Sequence, residues 1–417
     1  MASTASLEPF AHFHERLGAV TFDSYRKTPG RRVPRRDAFE RQRAHLVRFY
    51  RGIEVVRSFV DDGGQIFDCI AFEQQPALRG VRGRGARLGQ GRRSGSAAPP
   101  HPGALHPARR DRYGNPMFCE PELVAIRRLT LDEMIRFSSV RHHHRKFRRA
   151  AASTATPPAV VGGASAPNHQ YAVTQQNTGT LGGASILNIW DPQVAATPDS
   201  MNLSQIWLSA TTANGLAQTV EAGWQVYPHL YGHALPVLFT YWTADGYGST
   251  GAYCGTDGKF VHQAGAAFTP GMALKALSAA GGDQSEIQIA WKLIDGNWWL
   301  FVNGTDESNA VGYYPGSLYQ GGALSASAAS AQFGGEVCGD GAYPPMGSGA
   351  MPDGGYGAAA YQRNIQLFLD GANPSDADAL SPVQTMPDSY TVTIAAGGKD
   401  DWGSYFFFGG PGAGPGS

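Results

Sequence analysis

The chain has 417 residues, of which 42% are hydrophobic, 16% charged and 54 glycine. That length allows more than one domain and a large core, and no run of about 18 apolar residues is present, so no membrane span is expected. The net charge of zero hides a split: residues 1–150 carry 29 Lys and Arg against 15 Asp and Glu, and residues 151–417 carry 5 against 19. Such asymmetry reads as two modules. A basic module alone would suggest nucleic acid, but here the acidic module is the nearer partner and no nucleic acid is expected.

The opening MASTASLEPFAHFHERL lacks the basic and apolar regions of a signal peptide. Either export does not use that route or the true start lies upstream. Residues 1–38 read as basic and irregular. Leu46, Phe49, Tyr50, Ile53 and Val60 fit a 3.6-residue period with the arginines mostly off the stripe, which predicts a helix ended by the turn Asp61 to Gly64. Gln65 to Phe72 reads as a strand. Residues 79–112, rich in Arg, Gly, Ala and Pro without periodicity, read as a disordered insert. Thr130 to Phe137 is a short helix with Thr130 and Glu133 spaced as a capping box.

The run Arg141-His142-His143-His144-Arg145-Lys146 invites a metal reading. Adjacent histidines converge poorly on one ion, no acidic or cysteine partner is near, and no Cys spacing matches a zinc site. The run is read as a solvated basic linker, and neither metal nor cofactor is expected. Residues 151–168 read as an exposed linker open to proteolysis. Four cysteines permit three pairings; one bridge within each module, Cys69 with Cys119 and Cys254 with Cys338, is the simplest in a secreted protein, and four buried thiols are the alternative.

From His169 to the C-terminus, short alternating apolar runs recur between Gly, Asn, Asp and Pro, which predicts an all-β antiparallel sandwich after a smaller mixed α+β basic segment. Asp295-Gly296 is a hairpin turn signal, Pro270 to Ala280 is a candidate for a turn or two of helix, and Tyr405 to Phe408 reads as a closing strand. Of Trp298 and Trp299, which face opposite ways, one is expected in the core. Within VEAGWQVYP, the period of two puts Glu221, Gly223, Gln225 and Tyr227 on one face and Val220, Ala222, Trp224 and Val226 on the apolar one. QFGGEV repeats the design, with Gln332, Gly334 and Glu336 on one face. A lone strand glutamate usually meets solvent. Two strands that each set a Glu beside a Gly suggest instead a pair of carboxylates on the floor of a cleft. Such a pair shares one proton at acid pH, so one member polarises a carbonyl while the other activates water. Gln225 is a candidate donor to the tetrahedral oxyanion, and Tyr241 or Trp242 a wall for an apolar ring, since alternation lets only one of them face the cleft.

The strings GASILNIWDPQV, LSQIWL, VEAGWQVYPHLYG, LFTYWTADGY, IAWKLIDGNWWLFV, VGYYPGSL, FGGEV, MGSGAMPDGGYGAAAY and RNIQLF resemble, in order, the neprosin domain of glutamic peptidases. FDCIAFEQQPAL and IRRLTLDEMIRFSSVRH resemble that family's activation segment. The resemblance implies a curved antiparallel β-sandwich, a secreted acid-acting endopeptidase that cuts proline-containing substrates after proline, and a zymogen whose N-terminal segment blocks the cleft. Its catalytic pair falls on Glu221 and Glu336, with Glu336 as base, and Tyr227, Gln225, Tyr241 and Trp242 are the expected substrate contacts. The charge split suggests that residues 1–150 clamp electrostatically over the acidic domain at neutral pH. A carbohydrate-active or lectin-like sandwich is the alternative.

Overall fold

The computed structural model describes residues 7–30, 32, 34–80, 85–88, 110–146, 168–339, 341–370, 373–395 and 401–414. Helix opens the chain where irregular backbone was expected. α1 (Phe10–Ala19) buries Phe13 and Leu17, one turn apart, and a Thr21–Ser24 capping box starts α2 (Phe22–Tyr25). α3 (Arg36–Phe49) stops before Ile53. Gly52, at φ 69°, turns the chain out of the helix, and β1 (Val55–Val60) follows. Val60 therefore belongs to a strand, not to the helical stripe. The Asp61 to Gly64 turn closes a hairpin in which Val60 faces Ile66 of β2 (Ile66–Ala71), and β3 (Leu123–Arg127) completes the sheet. α4 (Leu131–Ile135) begins with the Thr130 hydroxyl accepting from Glu133 N–H at 3.1 Å. The Glu133 carboxylate turns away from the cap to a bidentate pair with Arg127 and to His143 in α5 (Val140–His144).

The remaining chain forms two antiparallel sheets. The first runs in the order β16-β4-β13-β6-β7-β8, built from β4 (His169–Gln176), β6 (Met201–Thr211), β7 (Ala217–Val226), β8 (Val237–Thr243), β13 (Ser330–Cys338) and β16 (Ser381–Gln384). The second runs β17-β18-β14-β5-β10-β11-β12-β9, with β15 (Ser375–Asp376) beside β14. Its strands are β5 (Gly182–Asn188), β9 (Val261–His262), β10 (Glu286–Ile294), β11 (Asn297–Val302), β12 (Ala310–Pro315), β14 (Ala360–Leu367), β17 (Thr391–Ile394) and β18 (Phe406–Gly409). Trp224, Trp291, Trp298, Ile206 and Phe333 fill the space between the sheets. The hairpin at Asp295-Gly296 takes left-handed φ at both positions, 49° and 70°, as a two-residue turn of this kind requires. No helix forms over 270–280: Pro270 and a left-handed Gly271 keep the segment open, and Ala273 bridges to Val237.

The N-terminal region lies on the outer face of the second sheet. Phe13, Leu46, Tyr50, Ile126 and Met134 join Trp299, Phe301, Tyr313 and Phe368 in one apolar cluster, so Trp299 is covered like Trp298. Polar contacts fasten the seam. Gln75 exchanges two hydrogen bonds with the His262 backbone (3.0 and 2.6 Å), His45 meets Thr256 O (3.2 Å), and Ala273 N–H donates to Asp61 (2.8 Å). Part of the expected insert is anchored: Ala86 N–H donates to the Tyr313 hydroxyl at 2.9 Å. Residues 81–84 and 89–109 of it, and 151–167 of the expected linker, lie outside the described residues. Cys69 and Cys119 form a disulfide, but Cys254 and Cys338 are buried and not disulfide-bonded, so the second expected bridge is absent. Among the described residues no helix is long and apolar enough to cross a membrane.

Candidate active site

β7 and β13 do not touch; β6 runs between them. On β6 the period of two puts Leu203, Gln205 and Trp207 on one face. Trp207 pairs with Glu221, Leu203 with Glu336, and Gln205 with Gly223 on one side and Gly334 on the other. The two glutamates thus sit diagonally about Gln205. A Cβ on Gly223 would lie 1.9 Å from Ser204 O, and one on Gly334, at φ 142°, 2.6 Å from Ala172 O. The groups that approach these glycines closely are the backbones of the neighbouring strands.

Both carboxylates are wholly buried, and one ammonium bridges them. Lys146 Nζ lies 2.5 Å from Glu221 Oε2 and 2.7 Å from Glu336 Oε2. It also lies 3.4 Å from Gln205 Oε1 and 4.7 Å from the centre of the Trp207 ring. Lys146 N–H donates to the Tyr241 hydroxyl at 3.2 Å, and Arg141 and Arg145 donate to Gly248 O. The basic run is therefore no solvated linker. His143 and Lys146 are buried, and the end of the N-terminal region lies in the cleft of the first sheet. Adjacent like charges hid this in the sequence, because the carboxylates that make burial of Lys146 affordable are 75 and 190 positions away.

The two carboxylates differ in their remaining partners. Glu221 Oε1 accepts from the Thr219 and Tyr247 hydroxyls at 2.8 and 2.9 Å. Glu336 Oε1 accepts from His169 Nδ1 at 2.7 Å and the Tyr171 hydroxyl at 3.4 Å, and Oε2 from Gln205 Nε2 at 3.0 Å. Burial pushes the Glu336 carboxyl up, but Lys146 and then His169 outweigh it and hold the group below its ordinary range. Burial likewise opposes the Lys146 charge, and Glu221 and Glu336 reverse that, so its ammonium is held more firmly than usual.

Tyr241 shares the face of Glu221, its register partner. Trp242 faces the opposite way into the core, with its indole N–H on Asp257 at 2.9 Å. Gln225 lies further along, donating to Met201 Sδ at 3.1 Å and accepting from Tyr231 at 3.0 Å, in contact with neither glutamate. Tyr227, just past the end of β7, lines a cavity of about 310 Å³ with Met201, Tyr253, His169, Asp199 and Arg145. Sequence reasoning passed over Gln205, His169 and Lys146. The alternation of LSQIWL that sets Gln205 on a face with Trp207 was the available signal for the first.

A family model described as Neprosin matches residues 198–411, just over half of the chain. Among solved structures, a Scytalido-glutamic peptidase with a peptide-based transition state analog is similar at 11% identity and a TM-score of 0.32, over 58% of this chain and 97% of that one. SCP-B, a member of the Eqolisin family of peptidases in complex with the tripeptide Ala-Ile-His, is similar at 10% identity and a TM-score of 0.31, over 58% and 96%.

Proposed function

Because this chain belongs to the Neprosin family and is a peptidase hydrolase, we propose that it is an acid-acting endopeptidase of the glutamic type, made as a zymogen, that cuts after proline. The observation that carries this reading is the convergence of the two buried carboxylates of Glu221 and Glu336 on one ammonium. With Lys146 withdrawn, two carboxylates that share a dry floor hold one proton between them at acid pH. Glu336, held as the anion by His169, Tyr171 and Gln205, takes a proton from a water that attacks the scissile carbonyl carbon. Glu221 in its protonated form polarises the carbonyl oxygen and passes its proton to the leaving amine. The Gln205 amide is a donor in reach of the oxyanion that develops. No covalent acyl-enzyme is needed.

Latency follows from the same arrangement. Lys146 occupies the place of the shared proton and of the substrate carbonyl, so residues 1–150 inhibit as long as that lysine is seated. The cleft wall formed by Tyr241, Tyr227 and Tyr253 suits a flat apolar ring such as proline. The Cys69–Cys119 disulfide fits an oxidising, extracellular setting.

The test is hydrolysis of proline-containing reporter peptides between pH 2 and 7, with mass spectrometry of the products. Acid-matured wild type should cut after proline, and Glu221→Gln and Glu336→Gln should each lose this. Cleavage that survives both substitutions refutes the reading.

A further inference from the structure

His169 is the first residue of β4, and its ring is buried at 2% exposure. It shares a face with Tyr171, whose register partner is Glu336. Its Nδ1 lies 2.7 Å from Glu336 Oε1. A carboxylate oxygen has no proton to give, so Nδ1 carries the hydrogen and donates. The groups that face this ring are Glu336 and Cys338 from β13 and Tyr171 from β4. Across the cavity stand Asp199 and, from the N-terminal region, His142, Arg145 and Lys146. All the N-terminal groups leave when the cleft opens. Gln205, Tyr171 and His169 then remain as the donors to Glu336, and His169 makes the shortest of these contacts.

We propose that His169 is a positioning residue, which orients Glu336 and keeps it ionised as the base of the mature enzyme, and that maturation must therefore cut on the N-terminal side of His169. The proposal rests on the reading of Glu336 as the base. The constraint is sharp because Lys146 and His169 meet the same carboxylate from two sides of the segment to be cut. A cut before His169 separates the blocking group from the supporting one; a cut after it removes both.

The experiment compares acid-matured wild type, His169→Asn, His169→Leu and Glu336→Gln by the pH profile of kcat/KM, with the mature N-terminus mapped by mass spectrometry. A hydrogen bond to an ionised group is worth enough that its loss should lower kcat about tenfold to hundredfold. Without the donor Glu336 holds its proton more tightly, so the acid limb of the profile should move up by about one pH unit in His169→Leu. Asn places an amide N–H near the position of Nδ1, and His169→Asn should restore most of the rate and the wild-type limb. A merely structural role would lower the yield of folded protein without moving the limb. An unchanged limb in His169→Leu, or a fully active mature form that begins after residue 169, overturns the proposal. Should His169→Leu not fold, a shifted limb in His169→Asn overturns the rescue and the mapped N-terminus still decides the cut. Full activity in Glu336→Gln would instead sink the reading of the catalytic pair.

Discussion

Replacing Lys146 by Met keeps most of the side chain's length and removes its charge. In the structure the ammonium is fully buried, with carboxylate oxygens at 2.5 and 2.7 Å. Removing one partner of a buried ion pair typically costs about 3–5 kcal/mol, because the charge left behind is uncompensated. Here two carboxylates are left facing each other, so the upper end applies at pH 7. That is a rise of roughly several thousandfold in the fraction of molecules with an open cleft. At lower pH the pair can bind a proton in place of the ammonium, and each unit by which its pKa exceeds the pH returns about 1.4 kcal/mol. The gap between Lys146→Met and wild type should therefore be widest near neutrality and narrow toward pH 4. The assay is the initial rate of reporter-peptide hydrolysis by freshly purified full-length chain, with maturation followed on a gel. Lys146→Met should show activity before cleavage and should mature at pH values where wild type is stable. A full-length Lys146→Met that stays inert and matures at the wild-type rate at every pH would refute the reasoning.

Burial lowers His45, His233 and His262 at the seam each to about 4. A histidine with a lowered folded-state value favours the closed form above its ordinary range, near 6.5, and opposes it as pH falls toward 4, by up to ~1.4 kcal/mol per pH unit each. Asp61, raised by burial to about 6, acts in the opposite sense. Release of the cut N-terminal region, measured by size exclusion, should rise from pH 6.5 to 4; a triple substitution of these histidines by Gln should flatten the rise, and an unaltered curve would exclude them as its cause. Gln205→Leu should keep the fold and lower kcat by roughly a hundredfold or more if the amide serves the oxyanion, whereas a change confined to KM would assign it to substrate binding. Gly223→Ala would drive a Cβ against Ser204 O and should lower stability by about 1–3 kcal/mol, read as the shift in a chemical unfolding midpoint; an unchanged midpoint would show that the sheet relaxes freely there.

The faces of β7 and β13 were legible because a strand repeats every two residues, and that alone grouped Glu221 with Gly223 and Glu336 with Gly334. Which strands are neighbours is decided by packing, so the intervening β6, and with it the central place of Gln205, was not legible. Trp242 shows the same limit in reverse: the period allowed one of Tyr241 and Trp242 into the cleft, and only the core, closed around the indole by Asp257, decided which. In the basic half, Val60 fitted a helical period by coincidence, while its β-branched and aromatic neighbours Val55, Val56 and Phe59 marked the strand. Lys146 carried no local signal at all. Its burial depends on carboxylates brought to it by a different part of the chain.

The disulfide lies wholly within the N-terminal region, and the two remaining cysteines are not disulfide-bonded. Among the described residues no disulfide joins the N-terminal region that carries Lys146 to the sandwich, so the backbone through residues 147–168 is the link between them. Before that backbone is cut, Lys146 is presented at a local concentration set by the tether and unaffected by how much protein is present. After the cut, the same contacts hold a separate molecule, whose departure depends on dilution. On the proposal that residues 1–150 inhibit, latency in the intact chain should be independent of protein concentration, whereas the nicked protein should behave as an ordinary complex of enzyme and inhibitor, more active the more thinly it is spread.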